Sequence, residues 1–143
     1  MLEIEIHQLA YLYNRHCVRE GKTDHRLDVS FTPDHHGTFS LEISEGLLKL
    51  TKKDEISEYA NMYDGTVIAC YDRDNEFEEL NGEFSSLIED VLDEVEENAS
   101  NVEDLIEMTR TDEARKATET DEVIDLKRHY SDENTDSRAE STQ

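Results

Sequence analysis

The chain has 143 residues, with 37 Asp and Glu against 14 Lys and Arg, so its formal net charge is −23. Nucleic acid phosphates and anionic lipids repel such a protein, so we expect no direct nucleic-acid or membrane partner. No apolar run approaches the length of about 18 residues that a transmembrane helix needs. The first residues lack the basic and apolar regions of a signal peptide, which predicts a cytoplasmic protein.

Near the N-terminus, apolar residues recur at the three- and four-residue spacing of a helix. These residues are Ile6, Leu9, Ala10, Tyr13 and Cys17. Arg15 and Arg19 suit the negative end of the helix dipole, and Gly21 is a natural stop. The alternation of apolar residues over 2–6 leaves a short strand as the alternative for the start of this segment.

A sheet is predicted after this helix. Apolar and polar residues alternate over 27–32 and again over 39–44, which is typical of two strands that each bury one face. Residues 47–51 predict a third strand, and the apolar, β-favouring run 66–71 is the best candidate for a central strand. Between them, residues 54–63 predict a short helix that begins at Asp54.

The strongest periodic signal lies in the second half of the chain, and it predicts a helical segment over residues 83–109. Its apolar stripe consists of Phe84, Leu87, Ile88, Val91, Leu92 and Val95. The pair Ser100 and Glu103 has the form of a capping box, so the segment is either one helix or two. From residue 110 onward the apolar content falls, and 110–143 is predicted to be mostly disordered. Within this tail, residues 123–130 are expected either to fold on a partner or to dock back on the domain.

These elements predict an α+β fold with an N-terminal helix, a small antiparallel sheet of three to four strands, a long acidic C-terminal helical segment and a disordered tail. The expected division is a single domain over 1–109 and an acidic tail over 110–143. Cys17 and Cys70 both lie among apolar residues. We therefore expect two buried, reduced thiols rather than a disulfide.

The acidic residues are concentrated in one region. The stretch 74–109 contains 14 acids and no Lys or Arg. If 83–109 is helical, its apolar stripe faces the core and its carboxylates face outward. The ten carboxylates predicted to bind a partner are Glu83, Glu89, Asp90, Asp93, Glu94, Glu96, Glu97, Glu103, Asp104 and Glu107.

This unrelieved charge predicts a nucleic-acid mimic that occupies the basic DNA- or RNA-binding surface of a defence, restriction or transcription protein. Over 83–107 a helix would carry about one negative charge per 4 Å, whereas duplex DNA carries one per ~1.7 Å of axis. A homodimer, or the acidic connector 74–79, would close most of that difference. The expected partner is therefore a basic, nucleic-acid-binding protein, and the expected role is that of an inhibitor.

In the alternative interpretation, the protein is a structural or regulatory subunit that binds a partner through its apolar helix stripe. Its acids would then serve solubility or adaptation to a salty cytoplasm. Salt adaptation should spread acids evenly along the chain. Residues 1–75 instead carry a net charge of −6 and residues 76–143 a net charge of −17.

No catalytic constellation stands out, so we expect no enzyme, no cofactor and no metal. The chain has no phosphate-binding glycine loop and no serine-centred nucleophile motif. Acidic residues over 72–83 resemble a calcium loop, but Phe77 occupies the position that needs Gly. His35 and His36 are adjacent, so their side chains should point to opposite sides of the chain and not bind one zinc ion.

Overall fold

The structure, a computed structural model, describes residues 1–63, 66–73 and 82–130. Its α-helices are α1 (Glu3–Arg19), α2 (Leu41–Lys52), α3 (Gly82–Asn98), α4 (Val102–Arg110), α5 (Glu113–Lys116) and α6 (Leu126–Tyr130). Its strands are β1 (Thr32–Asp34), β2 (Gly37–Phe39), β3 (Ile56–Tyr63) and β4 (Thr66–Arg73). A 3₁₀ turn covers Thr23–His25. No helix in these ranges is long and apolar enough to cross a membrane.

Helix α1 is the centre of the fold and confirms the predicted N-terminal helix. It contacts α3, α4, α6, β2 and β4. Tyr11 and Leu12 are almost fully buried, on a helix with neighbours on several sides. The strand alternative for residues 2–6 is wrong, because Glu3 already begins the helix. Cys17 and Cys70 are buried free thiols, as expected.

The described strands form two separate two-stranded antiparallel sheets, β1–β2 and β3–β4, rather than one sheet of three to four strands. Of the strand predicted over 27–32 only Thr32 belongs to β1, so the rest of that prediction is wrong. The strands predicted over 39–44 and 47–51 are wrong beyond Phe39, because residues 41–52 form α2. Ser40 begins this helix by accepting a hydrogen bond from the Ile43 N–H at 3.3 Å. Leu47, one helical turn after Ile43, is buried. The helical four-residue spacing of these two side chains therefore outweighs the two-residue alternation that predicted a strand.

The short helix predicted over 54–63 is also wrong, because Ile56–Tyr63 is strand β3. Asp54 has a left-handed backbone with φ of 60° and ends a turn instead of beginning a helix. The strand pairs with β4 along its whole length, from Ile56 opposite Arg73 to Tyr63 opposite Thr66. The β-favouring run 66–71 is confirmed as a strand, and its pairing decides the conformation of β3.

The acidic helical segment is two helices. Helix α3 ends at Asn98, and Asn101 begins α4 by accepting a hydrogen bond from the Asp104 N–H at 2.9 Å. The helix start therefore lies one residue after the predicted capping-box serine. Ser100 instead donates its hydroxyl to the Asp104 carboxylate at 2.9 Å.

The predicted disorder does not hold for the described part of the tail. Ala114, Ile124 and Leu126 are buried in the same core cluster as Tyr11 and Leu12. The segment 123–130 docks back on the domain, which was one of the two predictions for it. Its Ile124 N–H donates to the Phe31 carbonyl at 2.8 Å. Residues 131–143 lie outside the described residues.

Two glycines give opposite stability predictions. Gly37, with φ of +100°, lies where an added Cβ would collide with the Thr109 and Gln8 side chains. Gly46 lies inside α2 with open space around it. We expect Gly37→Ala to lower the free energy of unfolding by about 1–3 kcal/mol. The matched Gly46→Ala should raise it by about 0.5–1 kcal/mol, and urea unfolding of both variants measures the two changes.

Candidate partner-binding surface

A buried ion pair fixes the position of the acidic helices. Arg15 on α1 donates from Nη1 to Asp112 Oδ1 at 2.6 Å and from Nη2 to Glu94 Oε2 on α3 at 2.9 Å. The Tyr11 and Tyr130 hydroxyls also donate to the Asp112 carboxylate, at 2.6 and 2.7 Å. These contacts join α1, the α4–α5 junction and α6 at the Asp112 carboxylate, and Arg15 links α3 to them through Glu94.

The surroundings of Asp112 keep its carboxyl ionised. Burial alone would raise its pKa, but the hydrogen bonds from Tyr11, Arg15 and Tyr130 and the charge of Arg15 outweigh burial and lower the pKa below its usual value. Burial and the same carboxylate raise the pKa of Tyr11 and of Tyr130. Both phenols therefore remain hydrogen-bond donors at neutral pH.

Three carboxylates of α3 are paired with bases of α1 and of the loop that follows it. Besides the Arg15–Glu94 pair, His16 Nε2 lies 3.1 Å from Asp90 Oδ2. Lys22 Nζ lies 3.3 Å from Glu83 Oε1. Glu94 is half-buried by its pair, whereas Asp90 and Glu83 keep contact with solvent beside theirs.

The predicted carboxylates of α4 also have partners. The Tyr63 hydroxyl donates to Glu103 at 2.6 Å, and Arg110 Nη1 pairs with Glu107 at 2.9 Å. Asp104 accepts from the Ser100 backbone N–H and hydroxyl, and these hydrogen bonds lower its pKa. Of these three carboxylates, Glu107 has a counter-charge, whereas Glu103 and Asp104 accept hydrogen bonds from neutral donors and remain charged.

Four of the ten predicted residues have no ion pair or hydrogen bond to another described side chain: Glu89, Asp93, Glu96 and Glu97. All four are exposed. Their spacing of four, seven and eight residues from Glu89 places them on one side of α3. We call these four residues the acidic stripe. The structure thus separates the ten carboxylates into a paired group and this stripe.

The apolar side of α3 packs on the core. Leu87 and Val91 are buried, and Phe84, Ile88 and Val95 pack against the core cluster. The Phe84 ring meets the Tyr13 ring of α1 edge-on at 5.3 Å. Leu92 is the exception at 48% exposure, and it lies beside the acidic stripe one residue before Asp93. The predicted apolar stripe therefore packs against the core of the same chain, except at Leu92.

The acidic stripe has a charge spacing close to that of one nucleic acid strand. From Glu89 to Glu97 an α-helix rises about 12 Å, so the spacing of the four carboxylates along the axis averages about 4 Å. One strand of duplex DNA carries a phosphate every ~3.4 Å of axis. The match covers only the length of this short stripe.

A cavity at the start of α1, with polar and apolar lining, was not predicted from the sequence. Its volume is about 330 Å³, and Glu3, His7 and Gln8 contribute to its lining. The Ser40 N–H donates to His7 Nδ1 at 3.0 Å, so in the neutral ring the proton lies on Nε2, which faces Glu3 at 3.0 Å. Ser44 donates its hydroxyl to Glu3 at 2.5 Å. His7 therefore presents no free acceptor nitrogen to this serine, and the group is not arranged as a nucleophile with its base.

The described residues contain no group of three or more His, Cys, Asp or Glu side chains arranged to hold a metal ion. The His35 and His36 rings lie 4.8 Å apart in the β1–β2 turn, without a third ligand. Most of the calcium-like spacing over 72–83 falls on 74–81, which lies outside the described residues.

Comparison of the chain with protein-family models, with curated proteins and with solved structures found no match in any of the three.

The Asp112 pair gives a stability prediction. Asp112→Ala leaves the Arg15 guanidinium buried without its main counter-charge, so the free energy of unfolding should fall by about 3–5 kcal/mol. Glu113→Ala, the matched change at an exposed neighbour, should have little effect. Urea unfolding at neutral pH measures both.

The same variant predicts a pH dependence. Because the folded-state pKa of Asp112 is lowered, its stabilisation is fully present above the unfolded pKa of about 4. This stabilisation is lost as the pH falls through the lower folded value. Asp112→Ala should therefore flatten the fall in stability below about pH 4. Equal acid slopes for wild type and variant would contradict the assignment.

The apolar side of α3 gives a second prediction. Leu87→Asp places a charge among buried residues and should unfold the domain, because Leu87 is 4% exposed. Leu92→Asp should leave the circular dichroism spectrum and the unfolding midpoint nearly unchanged. A folded Leu87→Asp protein would mean that α3 does not pack on α1 in solution.

Proposed function

We propose that the protein is a cytoplasmic, non-enzymatic binding protein that uses the acidic stripe of α3 to occupy the basic nucleic-acid site of another protein. A defence, restriction or transcription protein fits this description. The observation that carries the proposal is the separation of charge on α3. Its inner carboxylates are paired with α1, whereas the four on its outer side are free of partners in the described chain.

Repulsion within the stripe supports this role. Glu89 and Asp93, and Asp93 and Glu97, are like-charged pairs one helical turn apart, and each pair destabilises the helix by a few tenths of a kcal/mol. Helix α3 tolerates this repulsion because Leu87 and Val91 anchor it to the core. A basic partner surface would replace the repulsion with attraction, so part of the binding energy comes from its relief.

Leu92 supplies a second kind of contact. It is an exposed apolar side chain at the margin of the four carboxylates. Protein interfaces commonly combine an apolar centre with a polar rim. A partner that contacts the acidic stripe with basic side chains would also bury Leu92, which adds affinity that salt does not screen.

The carboxylates that are already paired reduce the area that we expect the partner protein to contact. Glu83, Asp90, Glu94 and Glu107 already have basic partners within the chain. Recruiting them would require a partner to break those pairs. We therefore assign binding to the acidic stripe and expect little effect on affinity from changes at the paired positions.

The test compares two triple charge reversals in the full chain. Glu89→Lys, Asp93→Lys and Glu96→Lys together should abolish binding to the captured partner while the circular dichroism spectrum stays unchanged. The matched control, Glu119→Lys, Asp121→Lys and Glu122→Lys, reverses the same number of exposed charges between α5 and α6 and should retain binding.

The partner is captured from host lysate at low salt, and duplex DNA or structured RNA is then added as competitor. A mimic should be displaced by the nucleic acid that its partner binds, and its affinity should fall steeply with salt. Unchanged affinity of the stripe variant, or a complex that no nucleic acid displaces, would contradict the proposal. Leu92→Asp should weaken the complex less than the triple reversal.

A further inference from the structure

One edge of the β3–β4 hairpin lacks a backbone partner. On the β4 side, the Tyr71 N–H donates to the Met1 carbonyl at 2.9 Å, and the Met1 amino group donates to the Tyr71 carbonyl at 3.0 Å. The start of the chain therefore covers this edge of β4. No described residue covers β3 on its outer side in the same way.

The register identifies which backbone groups point outward. Tyr71 turns both backbone groups toward Met1, so Glu58, its partner across the ladder, must direct its own pair away from β4. By alternation, Ala60 and Met62 do the same. The Met62 N–H bonds the Asn61 side chain at 2.8 Å instead of β4, which agrees with this assignment. Glu58 and Ala60 thus offer unpaired backbone groups among the described residues.

This edge is open and low in charge. Every residue from 57 to 62 is exposed, including Tyr59 and Met62, and Glu58 is the single charged residue among them. Exposed strand edges of this kind pair readily with another strand, and natural proteins usually protect them with charge, proline or a covering element. A two-stranded hairpin is also only marginally stable by itself.

Charge selects a second copy of the chain as the occupant. Two copies with a net charge of −23 repel each other over most of their surface. Residues 41–63 carry five acids and three bases, a net charge of −2, so this region is close to neutral. Its three bases, Lys49, Lys52 and Lys53, are exposed and form no ion pair in the described chain. The opposite charges within this region offset one another, so two copies can approach at this edge without strong repulsion.

We propose that two copies of the chain pair through their β3 strands, antiparallel and about a two-fold axis, so that two hairpins become one four-stranded sheet. A two-fold axis makes the interface self-complementary, because identical edges supply each other's donors and acceptors. In a register that places Ala60 opposite Ala60 of the second copy, Glu58 lies opposite Met62 and not opposite its own copy. Helix α2, which carries the exposed Leu48 and Leu50, contacts β3.

The first experiment measures the mass of the full chain in solution by light scattering during size-exclusion chromatography. The wild type should have the mass of two chains. Ala60→Glu with Met62→Glu adds carboxylates at the seam and should halve that mass. The control, Ala117→Glu with Val123→Glu, adds the same charge at exposed positions and should remain a dimer, since Val123 is 60% exposed and Met62 is 61% exposed.

The second experiment remains informative if the seam variant fails to fold. Ala60→Cys should give a cross-linked dimer with a short bis-maleimide, because the native thiols of Cys17 and Cys70 are buried. Glu96→Cys on the acidic stripe should not. A monomeric wild type, a dimer that persists in the folded seam variant, or cross-linking at position 96 instead of 60 would overturn the proposal. Reversal of the acidic stripe should leave the dimer intact, so this result is separate from partner binding.

Discussion

Arg15 and Asp112 form a buried ion pair that connects the first helix to the last described part of the chain. Two tyrosine hydroxyls also donate hydrogen bonds to the Asp112 carboxylate, and the second terminal nitrogen of the Arg15 guanidinium donates to Glu94. The Arg15 Nε, also buried, has no hydrogen-bond partner in the described structure. A group of this kind tolerates little displacement, because each lost contact leaves a charge without compensation in a medium of low dielectric constant. The orientation of α3 against α1 follows from it.

That orientation decides what the acidic helix presents to solvent. The side of α3 next to α1 places Asp90 and Glu94 against His16 and Arg15, while the opposite side carries the acidic stripe. A chain with so few bases uses several of them to hold its own acidic helix in place. The proposed partner site is consequently smaller than the acidic segment and lies on the side of α3 that faces away from α1.

Local patterns were least reliable where two periodicities overlap. Residues 39–43 alternate like a strand, yet Ile43 and Leu47 also have helical spacing, and the Ser40 cap favours the helix. Residues 56–63 contain apolar residues at helical spacing but lie against β4, which satisfies their backbone as a strand. The segment 123–130 has few apolar residues, but Ile124 and Leu126 fit a core already formed by α1. In each case a partner distant in sequence decided between two locally acceptable conformations.

By itself, the sequence indicated the excess of acids, the N-terminal helix, the helical segment 83–109, the strand at 66–71 and the two buried thiols, because these features depend on composition or on a strong local period. Only the tertiary structure decided which carboxylates are free. Glu94 and its partner Arg15 are 79 residues apart, and Asp112 lies 97 residues from the same arginine. Periodicity places a carboxylate on one side of a helix, but the neutralising base reaches it only through the packing of another element.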